Sequence, residues 1–288
     1  MLPIHEFILW NNCPNNCKFC WQKKERQQTY EERIQSLELV YENVKILKDT
    51  HVLYVGGEIF AETDTTINSK LFNLFKLTCE KMQKNEIYLC YINTNILYKL
   101  NTLLLPVLEL IKSYNLLNKV HFTTSGDKSG RFSNEKTRGL FYKNLKEIRE
   151  LYPELLIYVN IILTDSFCDS ILDDSFNIAS YMNEYKVEVN TLPYIKFGKD
   201  IAAPTREKVF KAILHLNEQL PGYGIQYCNN FLLNQNIVLQ KSENGVLVNI
   251  SSNKSPCTHS ENFTRCYSDS NECFICDCGK LKDLMEKM

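Results

Sequence analysis

Three cysteines near the amino terminus have a spacing suited to metal chemistry. Cys13, Cys17 and Cys20 form a C-x3-C-x2-C pattern directly after residues 5–10, which are predicted to be a strand. A loop of this length can wrap three thiolates around one iron–sulfur cluster, and a cubane cluster has four irons. Three ligands leave one iron open, and an open coordination site is where a substrate or cofactor binds a metal. The alternatives are a structural zinc loop, which needs a fourth ligand nearby, or an electron-transfer cluster.

A glycine pair and a carboxylate follow the next predicted strand, residues 51–55. Gly56 and Gly57 let the backbone approach a ligand closely. Glu58 beside them can accept hydrogen bonds from an ammonium group. By itself this tripeptide is an ordinary turn, and its place one strand after the cysteines is what favours a binding role.

The two motifs together resemble those of the radical S-adenosylmethionine (SAM) family. The segment NNCPNNCKFCW has the family's cysteine spacing and an aromatic residue, Phe19, before the last cysteine, and LYVGGE carries the family's GGE motif. The resemblance implies that the amino and carboxylate groups of SAM chelate the open iron of a 4Fe–4S cluster. One electron from the reduced cluster then splits a carbon–sulfur bond, which yields methionine and a 5′-deoxyadenosyl radical that abstracts hydrogen from a substrate.

The resemblance also implies SAM contacts at the carboxyl ends of further strands. Asn93-Thr94-Asn95 resembles the family's Thr-Asn-Gly, with Ile96 in place of the glycine. Ligands of barrels gather at these strand ends, whereas the simpler interpretation is strand-end capping and turns. The implied cofactor contacts are Phe19, Gly56, Gly57, Glu58, Asn93, Asn95, Ser125, Asn160 and Leu192.

A second group of cysteines lies near the carboxyl terminus. Cys257, Cys266, Cys273, Cys276 and Cys278 give C-x8-C-x6-C-x2-C-x1-C. This arrangement resembles the SPASM and twitch extensions of radical SAM enzymes, which bind auxiliary 4Fe–4S clusters. We expect one such cluster, with zinc as the first alternative because both accept four thiolates, and no bound metal as the second. The expected ligands are Cys257, Cys266, Cys273 and Cys276, and Cys228 and Cys278 compete for a place.

The elements that must position these residues alternate between short apolar runs and amphipathic segments. Six strand–helix units in series predict parallel strands covered by helices, curled into a partial (β/α)6 TIM-like barrel over residues 1–219. Residues 220–288 are predicted to be a cysteine-rich extension, in which residues 236–250 form a β-hairpin.

Thr29 and Glu32 predict a capping box. Single helices are predicted near residues 98–114 and 169–184, and the scattered Cys79, Cys90 and Cys168 are predicted to be core residues.

Composition narrows the function classes. The chain has 288 residues, 33 Lys plus Arg and 34 Asp plus Glu, so no basic excess points to a nucleic-acid backbone. No signal-peptide pattern and no long apolar run is present, so we expect a cytoplasmic protein without a membrane span. Twelve cysteines in a reducing compartment favour metal binding or catalysis over disulfides.

These features leave the substrate open. The leading hypothesis is oxidative modification or crosslinking of a peptide or protein side chain, with an electron donor such as flavodoxin or ferredoxin. Modification of a nucleoside, nucleotide or nucleobase is the second hypothesis, and an iron–sulfur electron carrier or a zinc-stabilised binding protein is the third. No catalytic acid or base can be assigned from the sequence; Arg131, Arg138 and Lys196 lie near strand ends where they could hold an anionic group.

Overall fold

The computed structural model describes residues 2–15, 17, 27–126, 131–132, 134–193, 204–221, 223 and 246–250. Its sheet has the strand order β6-β5-β4-β3-β2-β1-β7, in which β1 to β6 are parallel and β7 is antiparallel to β1. The strands are β1 Ile4–Ile8, β2 Thr50–Val55, β3 Ile87–Asn93, β4 Val120–Ser125, β5 Leu156–Leu163, β6 Glu188–Pro193 and β7 Val246–Ile250.

Helices follow each of the parallel strands. The α-helices are α1 Tyr30–Ile46, α2 Thr65–Gln83, α3 Leu104–Ser113, α4 Glu135–Leu151, α5 Asp165–Leu172, α6 Ile178–Tyr185 and α7 Arg206–Gln219. Short 3-10 turns span Ile59–Ala61, Leu100–Thr102 and Leu117–Lys119. The predicted α/β class with six parallel strands is confirmed, and six strands in chain order are consistent with a partial TIM-like barrel.

Local chemistry explains where the helices begin. The predicted capping box at α1 is present: the Thr29 hydroxyl accepts a hydrogen bond from the Glu32 amide at 3.2 Å, and the Glu32 carboxylate accepts one from the Thr29 amide at 2.7 Å. The Asp64 side chain accepts hydrogen bonds from backbone amides at the start of α2, and the Asn134 side chain accepts one at the start of α4. Each cap satisfies a backbone donor that has no partner inside its helix.

Two helix predictions were wrong in detail. The helix predicted over residues 169–184 is divided into α5 and α6. Asp174 adopts a left-handed conformation with φ 60°, and Asn177 caps α6 by accepting a hydrogen bond from the Ser180 amide. The helix predicted near residues 98–114 begins only at Leu104. Pro106 lacks the amide hydrogen that a longer helix would need, so it is tolerated only in the first turn.

The two faces of the sheet differ. Residues that face the helices are fully buried, including Val52, Tyr54, Ile92, Phe122 and Ile157. Their neighbours along each strand point the other way and are mostly half-buried. The core prediction for the scattered cysteines is confirmed, since all three are buried: Cys79, Cys90 and Cys168.

Parts of the predicted extension lie against this sheet. The strand β7 supplies the second half of the predicted hairpin and pairs with β1, whereas residues 236–245 lie outside the described residues. The Tyr223 hydroxyl accepts a hydrogen bond from the Thr191 amide at 3.0 Å and donates to the Val189 carbonyl at 3.1 Å. In the ranges given above, no helix is long and apolar enough to cross a membrane.

Candidate metal and cofactor site

The segment that leads to Cys13 is joined to the end of β2 by backbone hydrogen bonds. The Gly57 amide donates to the Trp10 carbonyl at 2.7 Å, and the Glu58 amide donates to the Asn12 carbonyl at 2.9 Å. A β-carbon on Gly56 would lie 2.6 Å from the Trp10 carbonyl oxygen, and one on Gly57 would lie 2.2 Å from that of Asn12. Both glycines are therefore required by the close approach of the cysteine segment. The sequence predicted a close approach to a ligand, but the approach in the structure is to this backbone.

Asn12 and Gln28 close the base of the cysteine loop. The Asn12 amide group donates to the Gln28 carbonyl at 3.0 Å, and its oxygen accepts from the Gln28 amide at 2.9 Å. The Gln28 side chain in turn accepts from the Asn11 amide at 2.7 Å. The chain therefore returns to its starting point after the cysteines. Sequence reasoning missed this pair, because two polar residues 16 positions apart show no periodic signal.

Glu58 lies at the centre of a buried hydrogen-bond network, with 3% of its surface exposed. One carboxylate oxygen accepts from the Thr94 hydroxyl at 2.8 Å and from the Phe60 amide at 3.2 Å, and the other accepts from the Asn95 amide at 2.6 Å. Burial raises the pKa of Glu58 to about 7, although these hydrogen bonds and the positive charge of Arg131 oppose the rise. The carboxyl group is therefore close to its midpoint at neutral pH.

Asn95 connects this network to the cysteine loop. Its amide nitrogen lies 3.8 Å from the Cys13 sulfur and donates to it. Its oxygen accepts from the Leu97 amide at 2.9 Å, and this contact fixes which end of the amide faces the sulfur. An amide donor of this kind stabilises negative charge on a cysteine sulfur.

Ile96 has the backbone conformation that its position in the motif predicts for glycine. Its φ is 51°, in the left-handed region, and its side chain is fully buried. This conformation costs about 1–2 kcal/mol for a residue with a β-carbon. It is held by Asn144 of α4, whose amide donates to the Ile96 carbonyl at 2.7 Å and to the Tyr98 carbonyl at 2.9 Å. Asn144 therefore supports a left-handed backbone that glycine would adopt without this cost.

The remaining predicted contacts lie farther along the sheet. Asn93 is half-buried at the end of β3, and Ser125 of β4 pairs in register with Asn160 of β5. The Asn160 oxygen accepts from the Asn190 side-chain amide at 3.3 Å. Leu192 is half-buried on β6. None of these residues has a hydrogen bond to Glu58 or Cys13 in the part of the chain that the structure describes.

Several predicted residues lie outside the described ranges. Cys17 is described and half-buried, but the following residues are not described: Phe19, Cys20, Lys196, Cys228, Cys257, Cys266, Cys273, Cys276 and Cys278. Of the two described basic residues, Arg131 acts on Glu58 through its charge, whereas Arg138 forms a helix ion pair with Glu135. Where side chains are described, no three His, Cys, Asp or Glu residues are close enough to hold a metal ion.

The residues that are described fit the cluster and the cofactor that the motifs imply. Cys13 and Cys17 are half-buried thiols on one loop, and the first has an amide donor against its sulfur. Glu58 is a buried carboxylate whose hydrogen bonds all come from neutral groups. A cationic ligand would lower the pKa of Glu58, because its positive charge stabilises the ionised carboxylate.

Comparison with known proteins adds no relative to these observations. A scan against protein-family models found no match, and a search of curated proteins found none. The resemblance to a family therefore rests on the motif residues alone.

Proposed function

We propose that this chain is a radical SAM enzyme built on a partial TIM-like barrel. The observation that carries the proposal is the hydrogen-bonded chain from Glu58 through Asn95 to Cys13. These residues come from three separate motifs, at the ends of three different strands. Their direct contact is what one shared cofactor site requires, and a simple set of turns does not require it.

Each residue in this chain has a role toward the cofactors. Cys13, Cys17 and Cys20 would hold a 4Fe–4S cluster, which supplies one electron and an open iron position when bound. The Asn95 amide donates to the Cys13 sulfur and favours its thiolate form. Glu58 would accept hydrogen bonds from the SAM ammonium group, whose charge lowers the pKa of the carboxyl and keeps it ionised.

The net reaction proposed is oxidative modification of a peptide or protein side chain, with flavodoxin or ferredoxin as electron donor. Cys257, Cys266, Cys273 and Cys276 would hold a second 4Fe–4S cluster, or zinc, in the extension. A second cluster can accept an electron from a substrate radical.

Anaerobic reconstitution tests the proposal. We expect the wild-type chain to release 5′-deoxyadenosine from SAM after reduction with dithionite, and the Cys13/Cys17/Cys20→Ala variant to release none. Iron and sulfide should fall by about four each per chain in that variant. Cys79→Ala, which changes a buried core thiol, is the matched control and should keep both signals. Iron that does not fall by about four per chain after loss of the three cysteines, or reduced wild-type protein that leaves SAM intact, would contradict the proposal.

A further inference from the structure

The sheet face that points away from the helices carries an ionisable side chain on each of the six parallel strands. The register joins Glu6, Leu53, Tyr91 and His121 in one row across β1 to β4. Because side chains alternate along a strand, His51, Tyr158 and Glu188 lie on the same face. All are half-buried: Glu6, His51, Tyr91, His121, Tyr158 and Glu188. Barrel interiors are usually filled by branched apolar residues. This face therefore differs from an ordinary packed interior.

Aromatic rings form the middle of this row. The Tyr91 and His121 ring centres are 4.8 Å apart, and those of His121 and Tyr158 are 5.5 Å apart. His51 lies 6.4 Å from Tyr91, so the ring row continues across β2 to β5. Burial lowers the pKa of both His51 and His121. The two imidazoles are therefore neutral at neutral pH and add no positive charge.

The charges on this face are of one sign. Glu6 lies at one edge of the ring row and Glu188 at the other, whereas β1 to β6 contain no lysine or arginine. Within the described ranges no residue forms a hydrogen bond or an ion pair with Glu6. Its register partners are Leu53 on β2 and Val248 on β7, and His51 on the same face of β2 pairs in register with Ile4.

We propose that this row binds a cationic group of the substrate, an amine or a guanidinium, with Glu6 as the anion and the Tyr91 ring as a π face. The inference rests on the proposed function and names its substrate class: a basic side chain of a peptide. Tyrosine rings attract cations, and a carboxylate that has no partner among the described residues completes the site. A phosphate would meet carboxylates and neutral rings here, so the face disfavours a nucleotide.

Burial raises the pKa of Glu6 to about 7, and this provides a direct readout. A bound cation lowers that pKa, because it favours the ionised carboxyl group. Binding at pH 7 should therefore release a fraction of a proton. Calorimetry in buffers with different heats of ionisation measures this release.

The test uses calorimetric titration of the reconstituted full chain with three probes: N-acetyl-lysine methylamide, its neutral analogue N-acetyl-norleucine methylamide, and adenosine 5′-monophosphate. We expect the lysine probe to bind at least about 10-fold more tightly than the norleucine probe, with proton release. Glu6→Gln should remove both the preference and the proton release. Glu184→Gln, which changes an exposed carboxylate paired with Lys146, should retain them.

Equal binding of the lysine and norleucine probes, tighter binding of the nucleotide, or an unchanged preference in Glu6→Gln would each overturn the inference. The preference of the wild-type chain for the lysine probe, and the proton release on binding, test the inference even if the variant does not fold. The yield of 5′-deoxyadenosine from SAM is measured on the same preparation. Its loss with the lysine preference intact would contradict only the proposed function, and the reverse result would contradict only this inference.

Discussion

The carboxyl ends of β1–β3 and of β4–β6 are organised differently. In the first half, backbone and side-chain hydrogen bonds connect the three strand ends to one another, with Glu58 and Asn95 at the centre. In the second half, Ser125, Asn160 and Asn190 lie on neighbouring strands, and the Asn190 side-chain amide donates to the Asn160 oxygen at 3.3 Å. A tightly connected set of strand ends suits a fixed cofactor.

The largest effect is expected from the residue that joins the two halves. Asn144 lies on α4, after β4, and donates to the carbonyls of Ile96 and Tyr98 after β3. Asn144→Ala leaves one buried and one partly buried carbonyl without these donors and should lower the free energy of unfolding by about 2–4 kcal/mol. Urea denaturation measures the loss. Asn43→Ala is the control, because its exposed amide donates to the Leu39 carbonyl, and its effect should be within about 0.5 kcal/mol.

The second prediction concerns the cofactor half alone. Glu58→Gln removes the negative charge that would hold the SAM ammonium, and charged hydrogen bonds contribute about 1.5–3 kcal/mol. We expect the KM for SAM in 5′-deoxyadenosine formation to rise about 10- to 100-fold. Glu86→Gln changes a carboxylate at the amino end of β3 that pairs with Lys81, and it should leave this KM unchanged. An equal rise of this KM in Glu58→Gln and Glu86→Gln would contradict a specific role for the carboxyl end of β2.

The third prediction concerns the second half, β4–β6. The buried Tyr223 hydroxyl bonds to the Thr191 amide and the Val189 carbonyl of β6. Tyr223→Phe should lower the free energy of unfolding by about 1–2 kcal/mol in urea. The rate of SAM cleavage should not change, because these bonds lie away from β1–β3. A matching fall in SAM cleavage would show that the two halves are not independent.

The smallest effect depends on pH. Both nitrogens of His215 on α7 contact carboxylates, Asp174 at 2.8 Å and Glu218 at 2.9 Å, and the Asp174 contact in particular raises the pKa of His215. A raised pKa in the folded state stabilises the fold below about pH 6.5, and this contribution is lost as the pH rises through the raised value. His215→Gln should therefore lower the melting temperature at pH 5.5 but not at pH 9. The exposed contacts limit the effect to less than about 1 kcal/mol, and equal effects at both pH values would contradict it.

The sequence predicts the elements of the first half better than the contacts between them. The strand order and the Thr29 cap follow from apolar periodicity and from one capping pair, which are local signals. Contacts such as Asn12 with Gln28, or Asn144 with Ile96, join residues that are remote in sequence and leave no pattern in it. The division of α5 from α6 was missed because the apolar spacing continues through Asp174, although the backbone does not.

The bonds that hold Trp10 and Asn12 against Gly57 and Glu58, and Gln28 against Asn12, involve only protein atoms. Small zinc domains fold only when their metal arrives, whereas these anchoring bonds need no metal. The proposed cluster would therefore be inserted into a chain whose sheet is already folded. A cluster destroyed by oxygen would then be rebuilt at the same anchors without refolding the sheet.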